Sequence, residues 1–204
     1  METKLLNKNQ LQIAANLLKQ GEIVGFPTET VYGLGVVYNN EAAFEKLMVA
    51  KNRPSNKPFT LMCSSLEMIE KFVDINNKMK MLIARFMPGP LTLVLKAKVD
   101  LPHYVTMGSE YVGVRISSHP LVLELIRLID IPLLVPSANK SGEESLSTYK
   151  EVYKVFKNEI AGLIKEDALN DLPSTIVKIE GNQLICIREG SLLMSEIEEY
   201  WRKL

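Results

Sequence analysis

Short strand-like apolar runs alternate with segments of helical periodicity along most of this 204-residue chain. Residues 9–20 set Leu11, Ala14, Ala15 and Leu18 on one helical face, and Gly21 supplies the stop. EIVGF at 22–26 reads as a short apolar strand. The exchange then repeats. Asn40 caps a helix running to residue 50 with Ala43, Phe44, Leu47 and Met48 inward, and 59–63 reads as a strand. Ser64 with Glu67 forms a capping-box signature for the next helix, and a further helix over 77–87 is ended by Pro88-Gly89-Pro90. Strands are predicted at 91–95 and 112–116, a helix at 120–129 and a strand at 133–135. Thr148 with Glu151 opens another helix, followed by a strand at 163–165. A hairpin pairs 175–179 with 184–187 around Gly181-Asn182, and a last helix follows Ser195. This pattern predicts an α/β fold: a twisted, open mixed sheet with helices on it, whose strand-end loops form one cavity. The order of the strands is not encoded in it. No repeat, low-complexity segment or linker divides the chain, so one domain over 1–204 is expected.

Charge narrows the function. Lys plus Arg equals Asp plus Glu at 24 each, so no global field draws the chain to nucleic acid or to an anionic membrane. The start METKLLNKNQ lacks the apolar stretch of a signal peptide, and no run of about 18 apolar residues suggests a membrane span. A cytoplasmic location away from membranes is therefore expected. Cys63 and Cys186 lie in apolar runs without a CxxC or Cys/His partner, and both read as buried reduced thiols. Walker-type, GxGxxG, HExxH and GxSxG motifs do not occur, and His103 and His119 read as structural.

The polar, irregular segments hold the candidate chemistry. KNRPSNKP places Lys51, Arg53 and Lys57 within seven residues, either a seat for phosphate or carboxylate groups or an ordinary solvated basic loop. Arg115, inside the apolar run YVGVRIS, needs the sheet edge, an anionic ligand or a protein carboxylate. Alternation sets it on the strand face opposite Val112, Val114 and Ile116. PTETVYGLG, with its Pro and two Gly, reads as a tight irregular turn. PSANKSG follows an apolar strand and suits either close approach to a phosphate or an ordinary turn. PSTIV opens a strand at Ser174, and Arg188 in IREG ends the hairpin. Cations and hydroxyls without a nucleophile suit a reaction driven by positioning anions.

Taken in order, FPTETVYGLG, KNRPSNKP, PGPLTLVL, VGVRISSHP, PSANKSG, PSTIV and IREG resemble the YrdC-like threonylcarbamoyl-adenylate synthase family, in its short single-domain form. The resemblance spans about residues 9–190. It implies a twisted α/β sheet with a deep, positively lined cavity on one face. It implies synthesis of threonylcarbamoyl-AMP and pyrophosphate from L-threonine, bicarbonate and ATP with Mg²⁺, for threonylcarbamoyl-adenosine modification of tRNA. A separate transferase complex would act downstream, with tRNA contact weak or indirect. Carried over by motif, Thr30, Arg115 and Ser174 would contact threonine, and Lys51 and Arg53 would be catalytic at the phosphates. Arg53, Lys57, Tyr111, Ser137, Asn139, Ser145 and Arg188 would contact ATP, with no metal held by the protein itself. Met62 stands where some members have a His, and Glu143 and Glu144 follow the SANKSG loop, where they must point outward. The alternative is a paralogue of the same fold that acts on another small substrate or binds RNA.

Overall fold

The computed structural model describes residues 2–52 and 58–204. Among these residues ten strands form one mixed sheet, and the helices pack on it. The strands are β1 (Lys4–Leu6), β2 (Val24–Phe26), β3 (Gly33–Val37), β4 (Thr60–Cys63), β5 (Leu91–Lys96), β6 (Tyr111–Ile116), β7 (Leu133–Leu134), β8 (Gly162–Ile164), β9 (Thr175–Glu180) and β10 (Gln183–Arg188). Their order across the sheet is β1-β8-β2-β3-β7-β4-β6-β5-β9-β10. Parallel pairs (β1 with β8, β8 with β2, β4 with β6, β5 with β9) are interspersed with antiparallel ones. The expected open mixed sheet is therefore present.

Local chemistry accounts for most helix starts. The helix α1 (Leu11–Lys19) buries Ala14, Ala15, Leu17 and Leu18 and ends before Gly21, whose φ of 76° favours glycine. In α2 (Glu41–Lys51) the Asn40 side chain accepts from the Ala43 amide at 3.0 Å. The short helix α3 (Leu66–Glu70) starts one residue later than the sequence signature suggests. Ser65, not Ser64, caps it by accepting from the Met68 amide. Asn76 caps α4 (Asn77–Phe86). A four-residue turn of helix, α5 (His103–Thr106), went unpredicted because it is too short to show a period. The helix α6 (Pro120–Ile129) runs over the predicted span, with Pro120 at its first turn. Thr148 and Glu151 form the predicted capping box of α7 (Tyr149–Phe156), and α8 (Met194–Lys203) closes the chain by setting Tyr200 edge-on to Phe86.

Two strands escaped the sequence reading. β1 has only three residues, and β3 begins inside the supposed turn and runs past it to Val37. Gly33 and Gly35 are strand residues there, not turn formers. A Cβ on Gly33 would meet Val135 Cγ1 at 2.5 Å, and one on Gly35 would meet the Phe26 ring at 2.5 Å. Close packing against neighbouring side chains selects glycine at both places. The irregular turn is confined to residues 27–32 before them.

The thiols differ from expectation. Cys63 is buried in β4, and burial pushes its thiol up to about 12. Cys186 is exposed, because β10 is an edge strand with a register shift between Cys186 and Arg188. Native protein should therefore take up one equivalent of a thiol reagent, at Cys186. Cys63 should label only after denaturation, as peptide mass mapping would show.

Candidate functional site

A cavity of about 220 Å³ opens on one face of the sheet. The sheet side of its wall carries Thr60 and Met62 from β4, Thr92 from β5, Arg115 from β6 and Ile176 from β9. Register puts these side chains on one face: Met62 pairs with Arg115, Thr60 with Gly113, and Thr92 with Ile176. Loops close the other sides through Thr30, Ser137, Ser145 and Ser174, with Arg188 reaching in from the end of β10. Six of the predicted residues thus converge: Thr30, Arg115, Ser137, Ser145, Ser174 and Arg188. Segments as far apart in the chain as Thr30 and Arg188 meet around one space.

Arg115 lies at the centre of this arrangement. It sits on the face of β6 opposite Val112, Val114 and Ile116, as the alternation predicts, and it is also half of a buried ion pair. Its Nη2 donates to Glu29 Oε1 at 2.7 Å, with side chains only 8% and 7% exposed. Nη2 also donates to Thr30 Oγ1 at 3.0 Å, and Nε to the Gly89 carbonyl at 3.3 Å. Ser117 Oγ donates to the other Glu29 oxygen. Burial alone would raise the Glu29 pKa, but the Arg115 charge and the hydrogen bonds from Ser117 and Arg115 outweigh it. The carboxyl is held below its ordinary value and stays ionised at neutral pH. The ligand and protein-carboxylate readings of Arg115 are therefore not exclusive, since the residue lines the cavity and has a carboxylate partner behind it.

Thr30 is ordered by its own turn. Its Oγ1 shares a hydrogen bond of 2.8 Å with Thr28 Oγ1, which donates to the Val31 carbonyl. Across the cavity, Ser174 Oγ bonds Thr92 Oγ1 at 2.9 Å. The Ser174 carbonyl accepts from Arg188 Nη2 at 2.8 Å and Nε at 3.2 Å. Partial burial and the positive charge of Arg115 hold the Arg188 pKa below the usual guanidinium value. Two guanidinium groups thus bear on one small cavity whose lining among the described residues includes no carboxylate. An anion is the charge this space accepts.

Lys51 requires a correction. It is not on an exposed loop but is the last residue of α2, 2% exposed. Its Nζ donates to the carbonyls of Ser137 and Asn139, and the Ser141 amide returns a bond to the Lys51 carbonyl at 2.8 Å. Lys140 completes the junction by donating to the Ala50 carbonyl at 2.6 Å. PSANKSG is thereby fastened to the carbonyl end of α2, where cations are favoured. Asn139 is absent from the cavity lining and serves the loop, donating to the carbonyls of Lys140 and Glu143 at 2.9 Å. Glu143 and Glu144 are exposed, as a loop beside an anion site demands. Arg53 and Lys57 lie outside the described residues.

Tyr111 is not brought to the cavity. It stands on the same face of β6 as Arg115, but four residues along a strand is about 13 Å. Its hydroxyl instead bonds Glu180 at 3.3 Å under the ammonium of Lys178. His119 is buried, and burial outweighs the opposing charges of Glu166 and Glu29 to lower its pKa, consistent with a structural histidine.

Sequence reasoning missed Thr28, Glu29, Thr92 and Ser117. The TET alternation and the SS after Arg115 were visible, but nothing along the chain connects Glu29 to a partner 86 residues away. Glu29 is engaged by Arg115 and Ser117, and no group of three or more His, Cys, Asp or Glu among the described residues could hold a metal.

Comparison with known proteins fits this geometry. The sequence model of the Sua5/YciO/YrdC family, described as telomere recombination, matches residues 16–190. The chain belongs to the Sua5/YciO/YrdC family. It is 36% identical over 192 residues to the threonylcarbamoyl-AMP synthase of Pyrococcus abyssi, covering 93% of this chain and 56% of that protein. For the Bacillus subtilis threonylcarbamoyl-AMP synthase the figures are 37% over 195 residues, 94% and 56%. The chain therefore spans 56% of the length of these two relatives. The putative threonylcarbamoyl-AMP synthase of Methanocaldococcus jannaschii is 35% identical over 191 residues, with 93% and 90% covered. Among solved structures, P. abyssi Sua5 complexed with L-threonine superposes with a TM-score of 0.92 at 34% identity, covering 97% of this chain and 61% of that one. E. coli YciO, at 22% identity, shares the fold with a TM-score of 0.85, covering 93% of this chain and 96% of that one.

Two outcomes follow from the buried charges. Lys51→Ala should destabilise the fold by about 1–3 kcal/mol, because buried carbonyls lose a charged donor. Denaturant unfolding would measure it, and an unchanged midpoint would show the junction to be idle. Glu29 has a lowered folded pKa, so its stabilising contribution is present above the ordinary value of 4.5 and is lost as pH falls through the folded value. The stability gap between wild type and Glu29→Gln should therefore narrow in acid, as unfolding curves at several pH values would reveal.

Proposed function

We propose that this Sua5/YciO/YrdC-family chain joins L-threonine, bicarbonate and ATP into threonylcarbamoyl-AMP and pyrophosphate. The observation that carries the reading is the convergence of Thr30, Arg115, Ser137, Ser145, Ser174 and Arg188 on one cavity, with the guanidinium groups of Arg115 and Arg188 in its wall. The names of the relatives agree with it, as does the threonine complex of P. abyssi Sua5. A space of about 220 Å³ suits an amino acid and its reacting groups better than a whole nucleotide, whose base and sugar would lie across the open side.

In this mechanism the amine of threonine attacks the carbon of bicarbonate and water leaves, giving a carbamate. A carbamate oxygen then attacks the α-phosphorus of ATP, and pyrophosphate departs. Arg115, Thr30 and Ser174 would orient threonine. Arg188 and the hydroxyls of Ser137 and Ser145 would face the phosphates. Positioning and charge complementarity would supply the rate, since the reaction as written needs no covalent intermediate on the protein. Lys51 would act by holding the 136–142 loop in place, and Arg53 and Lys57, which lie outside the described residues, would contact ATP as their motif implies. ATP would bring its own Mg²⁺, as the lining among the described residues includes no carboxylate.

The product would feed a threonylcarbamoyl transferase complex that modifies tRNA. The chain's balanced charge is consistent with weak or indirect contact with the tRNA itself. A cytoplasmic site of action goes with this role, and no helix among the described residues is long and apolar enough to cross a membrane.

The decisive assay is pyrophosphate release with ATP and Mg²⁺, which should require threonine and bicarbonate together. Equal release with either omitted contradicts the reading. Arg115→Lys should weaken threonine binding while ATP binding changes little, since lysine keeps the charge but loses the planar donor array. A drop in melting temperature alone does not decide between roles here, because any change at Arg115 also disturbs Glu29. The affinities, measured by calorimetric titration, are what separate them.

A further inference from the structure

The bonds made by Arg115 leave little of its guanidinium for a ligand, and what remains is defined by one carboxylate. Of the five N–H donors of an arginine, Nε serves Gly89 and both those of Nη2 serve Glu29 and Thr30. Among the described residues Nη1 makes no bond. Glu29 itself is not in the cavity lining. Both its oxygens are committed, Oε1 to Arg115 and Oε2 to Ser117. Ser117 is fully buried and held in turn, its Oγ accepting from the His119 amide at 3.2 Å. Residues 115 and 117 of one strand end therefore grip the carboxylate from two sides, and the carboxylate fixes the rotation of the guanidinium.

We propose that Glu29 is a positioning residue for the amino-acid substrate, locking Arg115 from behind so that Nη1 is the edge presented to the substrate carboxylate. The inference rests on the functional reading above and adds a residue that never touches the substrate. Pre-organisation of this kind improves binding by sparing the ordering of a long side chain when the ligand arrives.

Charge and geometry make opposite predictions at this position, which gives the test its force. Glu29→Gln preserves shape but removes a negative charge beside the cavity. If Glu29 mattered only through its charge, every anion would bind the variant more tightly. If it positions Arg115, threonine should bind more weakly in spite of the added positive field, because an amide grips a guanidinium less firmly.

Calorimetric titration of wild type, Glu29→Gln and Ser117→Ala with threonine and with ATP separates these outcomes, with thermal unfolding run alongside. The expected result is a loss of about tenfold in threonine affinity for Glu29→Gln, roughly the effect of one charge-assisted hydrogen bond. ATP affinity should stay within about threefold. Ser117→Ala keeps the charge and frees one oxygen, so it should shift threonine in the same direction by less; it also keeps the test open should Glu29→Gln fail to fold. Tighter or unchanged threonine binding, or equal changes for both ligands, overturns the proposal while leaving the functional reading intact. Failure of wild type to bind threonine overturns the reading itself, and the proposal with it.

Discussion

A guanidinium buried at the end of a central strand is the constraint around which this molecule is arranged. Leaving Arg115 unpaired among apolar neighbours would be prohibitive, so the fold must bring it acceptors. It does so from three directions. The 27–32 turn supplies Glu29 and Thr30, the turn before β5 supplies the Gly89 carbonyl, and Ser117, the residue after β6, holds Glu29. The Gly89 amide also donates to the Ile116 carbonyl at 2.8 Å, tying that turn to the same strand end. The interactions that satisfy the charge are thus the ones that bring the cavity walls together. Stability and function draw on the same bonds.

A second charge does similar work one layer out. Lys51 and Lys140 cross between the end of α2 and the 136–142 loop, each donating to a carbonyl of the other segment. Lys140 also pairs with Glu159 and lies over the Phe156 ring at 4.8 Å. The loop that presents Ser137 to the cavity is therefore braced by its own sequence motif and by the residue at the head of KNRPSNKP. Lys51 and the 136–142 loop, which read as parts of independent ligand loops, thus meet in one junction. Arg188, by contrast, is anchored at Ser174 among the described residues and reaches the cavity from an exposed edge strand. Lys51 thus builds the wall from behind, whereas Arg115 and Arg188 line the cavity itself.

Much of the fold was legible because its elements carry strong local signals. Polar caps mark the starts of α2, α4 and α7, and α6 opens on Pro120, so these helices fall within a residue or two of the predicted spans. The failures share a cause. β1, β3 and α5 are short, or glycine-rich for reasons of packing, and so they show no period. Cys186 was misplaced because its apolar run belongs to an edge strand, and edges are defined by what fails to pair with them. Tyr111 shares a face with Arg115, yet distance along the strand removes it from the cavity.

What the sequence determined by itself was the class of fold, the face of β6 on which Arg115 stands, and the set of motifs from which a site could be assembled. Caps, turns and alternation are short-range effects, and they survive being read along a line. Only the tertiary structure decided that Lys51 is a buried brace and that Asn139 serves its own loop. It also decided that Glu29 is the carboxylate that answers Arg115. Those outcomes depend on which distant segments the sheet order brings within hydrogen-bonding reach. The interaction between Glu29 and Arg115 spans 86 residues of chain and a strand order that no local propensity specifies.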